Sequence, residues 1–150
     1  MLRNAVESCS ESLWLQGEPN AFWHIAYHVA FYTHLYLSPS EEDFRPWLLH
    51  RLGYQFLGAI PEEPGAPRIA DRPDCVPYTK AEILSYIDTL FPEVERQLGV
   101  LDPNGASGFY WIPFSKLELQ LYNIRHIAHH TGQLADRLRR EANTGLAWVK

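Results

Sequence analysis

SKLELQLYNIRHIAHHTGQLADRLRR, Ser115 to Arg140, is the stretch whose reading decides the fold. It opens on a capping box, Ser115-Lys116-Leu117-Glu118. In that motif the serine hydroxyl takes the amide three residues on, and the glutamate reaches back to the serine amide. Leu117, Leu121, Ile124, Ala128, Leu134 and Leu138 then recur at helical spacing, which predicts one long amphipathic helix with this stripe turned to a core. At about 100° per residue, Glu118, Arg125, His129, Asp136 and Arg140 mark the solvent face. His126 and His130 turn away from that face, towards the flank of the apolar stripe. Gly132 interrupts the pattern, and an interior glycine costs about 1 kcal/mol relative to alanine. Close approach of another helix beside His130 would account for it; a plain surface glycine is the alternative.

Working outward, three further segments carry helical patterning. The first runs from about Leu2 to Leu15 and stops at Gly17 and Pro19, a short opening element. The second covers Asn20 to Leu37, with Asn20 as its expected N-cap, and is apolar or aromatic on nearly every side, so broad burial is expected. The third starts at a second capping box, Thr79-Lys80-Ala81-Glu82, and reaches Leu98 with Gly99 as its stop. Pro92 lies inside it and is expected to kink or break it.

Between the second and third segments lies a long connection. Its first part, Glu41 to Leu57, has the makings of a short helix capped by Ser40 and limited by Pro46; Gly58 to Pro77 is dense in proline and glycine and reads as ordered loop. A link this long can carry the chain along the whole molecule and lets its flanking helices run parallel. Asp102 to Phe114 holds a turn at Asp102-Pro103-Asn104-Gly105 and an aromatic run. No repeat or strand-rich region is visible, so the expected fold class is all-α: a four-helix bundle, one domain over residues 1–150, with a long crossover between its second and third helices.

Composition narrows the function classes. Apolar residues make up 46% of 150, enough for one core, and the net charge is -5. Without a basic stripe or polybasic tail, neither nucleic acid nor an anionic membrane is an expected partner. Met1 to Cys9 lacks the apolar centre of a secretory signal. The longest apolar run, Ala21 to Leu37, is broken by three histidines and does not read as a membrane span. Cys9 and Cys75, the only cysteines, show no CxxC spacing, and reduced thiols in a cytoplasmic protein are the plain expectation.

The chemistry lies in the histidines. Four of seven form two HxxxH pairs, His24/His28 and His126/His130. Residues four apart on a helix differ by about 40° and one turn, so both rings of a pair can reach one ion. Neutral imidazole suits zinc, nickel, copper and iron. A single HxxxH is weak and fits two half-buried histidines satisfied by ordinary hydrogen bonds. Two pairs on separate helices point to a shared ion, and spacing alone permits all four as ligands. Zinc-protease HExxH is excluded because Ile127 follows His126, and ferritin-like di-iron sites because no glutamate stands three before a histidine.

The stretch Tyr122 to Leu134, with its HxxHHxGQL element, resembles the last-helix motif of the DinB/YfiT-like putative metalloenzymes, and Phe22 to Tyr32 resembles that family's second-helix motif. The resemblance covers most of the chain. It implies an up-down-down-up bundle, often a homodimer, with one divalent transition metal, zinc or nickel, held by His28, His126 and His130. His24 is left without a family role. Asn123, Gln133 and Tyr32 stand where they can orient ligand imidazoles. The proline-rich middle region and His34 depart from the family pattern and bear on substrate rather than metal.

Three histidines leave a coordination position open, as in catalytic rather than structural zinc sites. A cation there stabilises a thiolate, and family members transfer low-molecular-weight thiols such as bacillithiol or mycothiol to an electrophile. The resemblance thus implies a metal-dependent thiol S-transferase. A metal-dependent hydrolase, with no evident general base, and a non-catalytic metal-binding or stress-linked interaction module are the alternatives. Arg68 and Arg72 are candidates for meeting a carboxylated thiol. The run Phe109 to Phe114, with Trp14, Trp23, Trp47 and Trp148, is expected mostly in packing. Ligand histidines must be deprotonated, so metal affinity is expected to fall below a pH of about 6.5.

Overall fold

The computed structural model describes residues 1–17 and 19–147; Trp148 lies outside them. The described residues form an all-helical structure: α1 (Leu2–Ser8), α2 (Glu11–Trp14), α3 (Phe22–Leu37), α4 (Lys80–Leu98) and α5 (Lys116–Ala142), with a 3-10 turn at Ile69–Asp71. No helix among them is long and apolar enough to cross a membrane.

Both capping boxes form. Thr79 and Glu82 close the start of α4, and Ser115 and Glu118 the start of α5, each satisfying two amides that a helix end leaves open. α5 ends on Asn143 in the left-handed conformation (φ 49°), which asparagine tolerates better than most residues. α4 runs unbroken through Pro92. Pro92 is exposed, so the carbonyl it deprives of an amide has water within reach.

Three local expectations fail. The opening segment is two helices, because the Ser10 hydroxyl accepts from the Leu13 amide and starts a new turn. Asn20 does not cap α3; Ala21 holds that position, and the Asn20 carbonyl instead accepts from the Arg137 guanidinium. Residues 41–57 form turns rather than a helix, although the Ser40 hydroxyl does accept from the Asp43 amide.

α3 is the central rod: only His28, Tyr32 and His34 escape full burial along it. Its contacts with α5 step in opposite directions along the two sequences. Gln120 donates to the Tyr36 carbonyl, Asn123 to that of Thr33, His28 meets His126, and Arg137 reaches Asn20. Towards α4 they step in the same direction, with Tyr27 on Tyr78 and His34 on Tyr86. α1 lies along α4, where Arg3 pairs with Asp88 and the Lys80 ammonium donates to the Cys9 carbonyl.

The core is aromatic. Trp47 from the crossover stacks on Tyr86 at 4.5 Å between ring centroids, and the Trp14 indole donates to the Tyr78 carbonyl at 2.7 Å, satisfying its one polar atom in a buried place. The loop before α5 crosses the end of α3 at Gly108 (φ 87°), where a Cβ would stand 2.1 Å from the Pro39 carbonyl oxygen; only glycine fits there. Lys116 fixes the same corner, its ammonium donating to the carbonyls of Ser38, Pro39 and Ser107 at 2.9, 2.8 and 2.6 Å.

The stripe on α5 divides. Leu134 and Leu138 are fully buried, but Leu117, Leu121, Ile124 and Ala128 are exposed. The expectation that the whole stripe faces the core is therefore corrected: the helix buries a neighbouring arc, Leu119, Asn123, Thr131 and Leu134, against α3 and α1. Glu118, Arg125, His129, Asp136 and Arg140 are all exposed. At Gly132 an added Cβ would meet nothing within 4 Å, so among the described residues no helix approaches there.

Candidate metal centre

α3 and α5 bring His28, His126 and His130 together. One ring nitrogen from each lies within 4.8 Å of the others, and no carboxylate or thiol joins the group among the described residues. His28 Nε2 is 2.9 Å from His126 Nε2, and the ring centroids of the three pairs stand 4.7 to 4.9 Å apart. All three side chains are partly buried.

Two of the rings are oriented from behind. His28 Nδ1–H donates to the Gln55 carbonyl at 2.7 Å, which leaves Nε2 with a lone pair facing its neighbours. His130 Nδ1–H donates to Gln133 Oε1 at 2.8 Å, with the same result. Holding one imidazole nitrogen on an oxygen so that the other is free is how proteins fix a metal-ligating histidine. Gln133 also donates its amide to His129 Nε2 at 3.3 Å.

His126 completes the chemistry. Since His28 Nε2 carries no proton, the close contact between the two Nε2 atoms needs His126 Nε2–H as donor. His126 Nδ1 is then buried with no hydrogen-bond partner. Nitrogen ligands about 2.0–2.1 Å from a tetrahedral zinc lie about 3.3 Å apart, so the 2.9 Å pair needs to open by only a few tenths of an ångström. The donor set fits a divalent transition metal.

The electrostatics agree. Burial drives His28 down to about 3, opposed by its bond to Gln55 and aided by repulsion from His130 and His126. His126 falls to about 4, again chiefly through burial, then through His130 and His129. His130 is lowered by burial, with Gln133 opposing. Neutral imidazole is the form a metal takes. The protonation threshold near 6.5 expected from a free imidazole is therefore displaced downward in the folded chain.

The remaining residues singled out in the sequence fall as follows. Tyr32 packs its ring 4.8 Å from His28 and 5.6 Å from His126 and walls the group. Asn123 is buried and donates to the Thr33 carbonyl at 3.5 Å, while its Oδ1 has no partner. His24 is fully buried, stacked on Trp23, and its Nε2–H donates to the Tyr54 carbonyl at 2.8 Å. His129 lies on the exposed face. Arg68 pairs with Asp71 and Arg72 with Glu63. Burial pushes the Cys9 thiol up to about 12, so it is no nucleophile at neutral pH.

Sequence reasoning missed the carbonyls of Tyr54 and Gln55. Both α3 histidines of the first HxxxH pair fasten the crossover, His24 through Tyr54 and His28 through Gln55. A backbone acceptor 27 residues away in sequence leaves no side-chain signature.

Two clefts flank the histidines. One of about 380 Å³ is lined by Tyr122, Arg125, His126 and His129. The other, about 280 Å³, has His130, Gln133, Asn20 and Leu57 among its walls. No protein-family model, curated protein or solved structure gives a significant match to the chain.

Proposed function

We propose that this chain is a DinB-like bundle of up-down-down-up topology that binds one divalent metal, zinc or nickel, and transfers a low-molecular-weight thiol to an electrophile. The stepping of contacts supports the topology: α3 opposes α5, accompanies α4, and α4 opposes α1. The observation that carries the functional reading is the open three-histidine group. His24, the other histidine of the α3 pair, is tied to Tyr54, which favours a site with room for an exogenous ligand over a closed structural one.

The residues present would do the following. His28, His126 and His130 would hold the cation, and the Gln55 carbonyl and Gln133 would keep two of the rings in register. A cation held there would lower the pKa of a bound thiol from about 8.5 towards neutrality. Tyr32 and the half-buried ring edges keep bulk water from one side. The clefts beside His126 and His130 give separate approaches, which suits a reaction with two substrates. In the transfer the thiol loses its proton to solvent, a carbon–sulfur bond forms, and the leaving group departs with its electron pair.

The test is turnover by zinc- or nickel-loaded protein with a panel of thiols, cysteine, glutathione, bacillithiol and mycothiol, against a chromogenic alkylating electrophile. Thiol consumption that disappears in His126→Ala is expected. Metal-loaded protein that neither turns over nor binds any of these thiols contradicts the reading and leaves a non-catalytic metal-binding module.

A further inference from the structure

The crossover folds a small apolar cluster of its own beside the bundle. Ile60 and Ile69 are 9% and 6% exposed, yet neither belongs to the aromatic core. They close instead on Gly53 (φ 88°), where a Cβ would stand 2.7 Å from Ile60 Cδ1 and 3.2 Å from Ile69 Cδ1; glycine alone lets the backbone come so near. A cleft of about 290 Å³ lies among these residues, with half-buried Phe56 as a further apolar wall. A cavity of roughly half that volume accepts one benzene ring, so a single ring with a short side chain fits.

Packing accounts for the isoleucines but not for Gln55. That residue lines the same cleft, and its Oε1 is buried with no hydrogen-bond partner. A stranded amide oxygen costs as much as a lost hydrogen bond, so the place calls for an N–H or O–H donor. Charge narrows the donor. The lining holds two carboxylates, the exposed Glu62 and Glu63, against one guanidinium, Arg72. Arg72 is already held by Glu63 and the Pro67 carbonyl, whereas among the described residues Glu62 forms no ion pair. An anion is repelled there and a cation drawn in.

We propose that this cleft binds a small primary amine carried on a single ring or short apolar chain, its ammonium donating to Gln55 Oε1 and facing Glu62. The site is distinct from the three-histidine group but reaches it. The main-chain carbonyl of the same Gln55 accepts from His28 Nδ1–H at 2.7 Å, so an occupant that fixes Gln55 also fixes the support behind His28. If the histidines hold a metal, amine and metal each strengthen the binding of the other.

Titration of the full zinc-loaded, isotope-labelled chain with phenethylammonium tests this, read by backbone amide shifts. A dissociation constant below about 1 mM is expected for a probe of this size, with the largest shifts at Gly53, Gln55, Ile60 and Ile69. Gln55→Leu and Glu62→Arg should each weaken binding by about 10-fold, the second at an exposed position where folding is not at risk. Hydrocinnamate, the same ring bearing a carboxylate, should bind at least about 10-fold more weakly. Zinc-free protein in chelator should hold the amine several-fold less tightly. No saturable shift, shifts centred on the histidines, or an affinity indifferent to both variants overturns the inference and leaves water as the partner of Gln55 Oε1. Hydrocinnamate as tight as the amine overturns the ligand class, and an amine affinity indifferent to zinc overturns the link to His28. Thiol turnover enters none of these readings, so a failure of the transferase proposal leaves the result standing.

Discussion

His28 Nε2 lies 2.9 Å from His126 Nε2, across the seam between α3 and α5. Two histidines 98 residues apart in sequence present the same nitrogen to each other because their backs are differently held, one on a carbonyl and the other on nothing. His28→Ala, His126→Ala or His130→Ala should each lower zinc affinity by at least about 100-fold, since each removes a ligand. His129→Ala and His24→Ala should stay within a few-fold of wild type. Competition titration with a chromogenic chelator measures all five; equal losses at His126 and His129 would defeat the rotational argument.

Gln133 is a positioning residue, since its amide oxygen holds His130 Nδ1–H. Gln133→Leu should weaken zinc by about 10-fold, the lower end of the range for such partners, while Gln133→Glu retains the acceptor and should restore affinity. A Leu variant indistinguishable from wild type would show that His130 needs no such support.

Much of the fold was legible before any coordinates. The two capping boxes mark the starts of α4 and α5 through side chains three residues apart, a local signal, and α3 announces its burial by being apolar all round. That His126 and His130 share one side of α5 was legible in helical spacing, which left His24 as open as His28; the choice of His28 as their partner came from the family resemblance. What escaped depends on neighbours. Periodicity reports that α5 has a wide apolar arc but not which half meets α3 and α1, so Leu117, Leu121 and Ile124 read as core. The break at Ser10 escaped because its hydroxyl competes with the helix only through the Leu13 amide. The Gln55 carbonyl escaped because every residue has one.

Lys116 shows how a charge is kept inside. Only 8% exposed, it satisfies three carbonyls at the junction of α3, the loop and α5. Lys116→Met keeps the length but strands those carbonyls, and should cost about 3 kcal/mol of stability. Urea denaturation measures it, and a loss under about 1 kcal/mol would mean that water replaces the ammonium.

Acid should destabilise the metal-free chain. Burial lowers the pKa of His24, His34 and His50 in the folded state. The unfolded chain therefore binds more protons once the pH falls below about 6.5, and stability drops with each further step down, towards the depressed folded-state values. In the presence of chelator the urea midpoint should fall between about pH 7.5 and 5, and His28 and His126, lowered to about 3 and about 4, add to the loss. A midpoint that is flat or rises on acidification contradicts these directions.

The whole account rests on one ion held between two helices. Anomalous diffraction at the zinc edge, from crystals of protein loaded with one equivalent of zinc, tests it most directly. The expected map has a single strong peak within bonding distance of His28, His126 and His130 together. A peak elsewhere, or these three imidazoles bonded only to one another after loading, would contradict it.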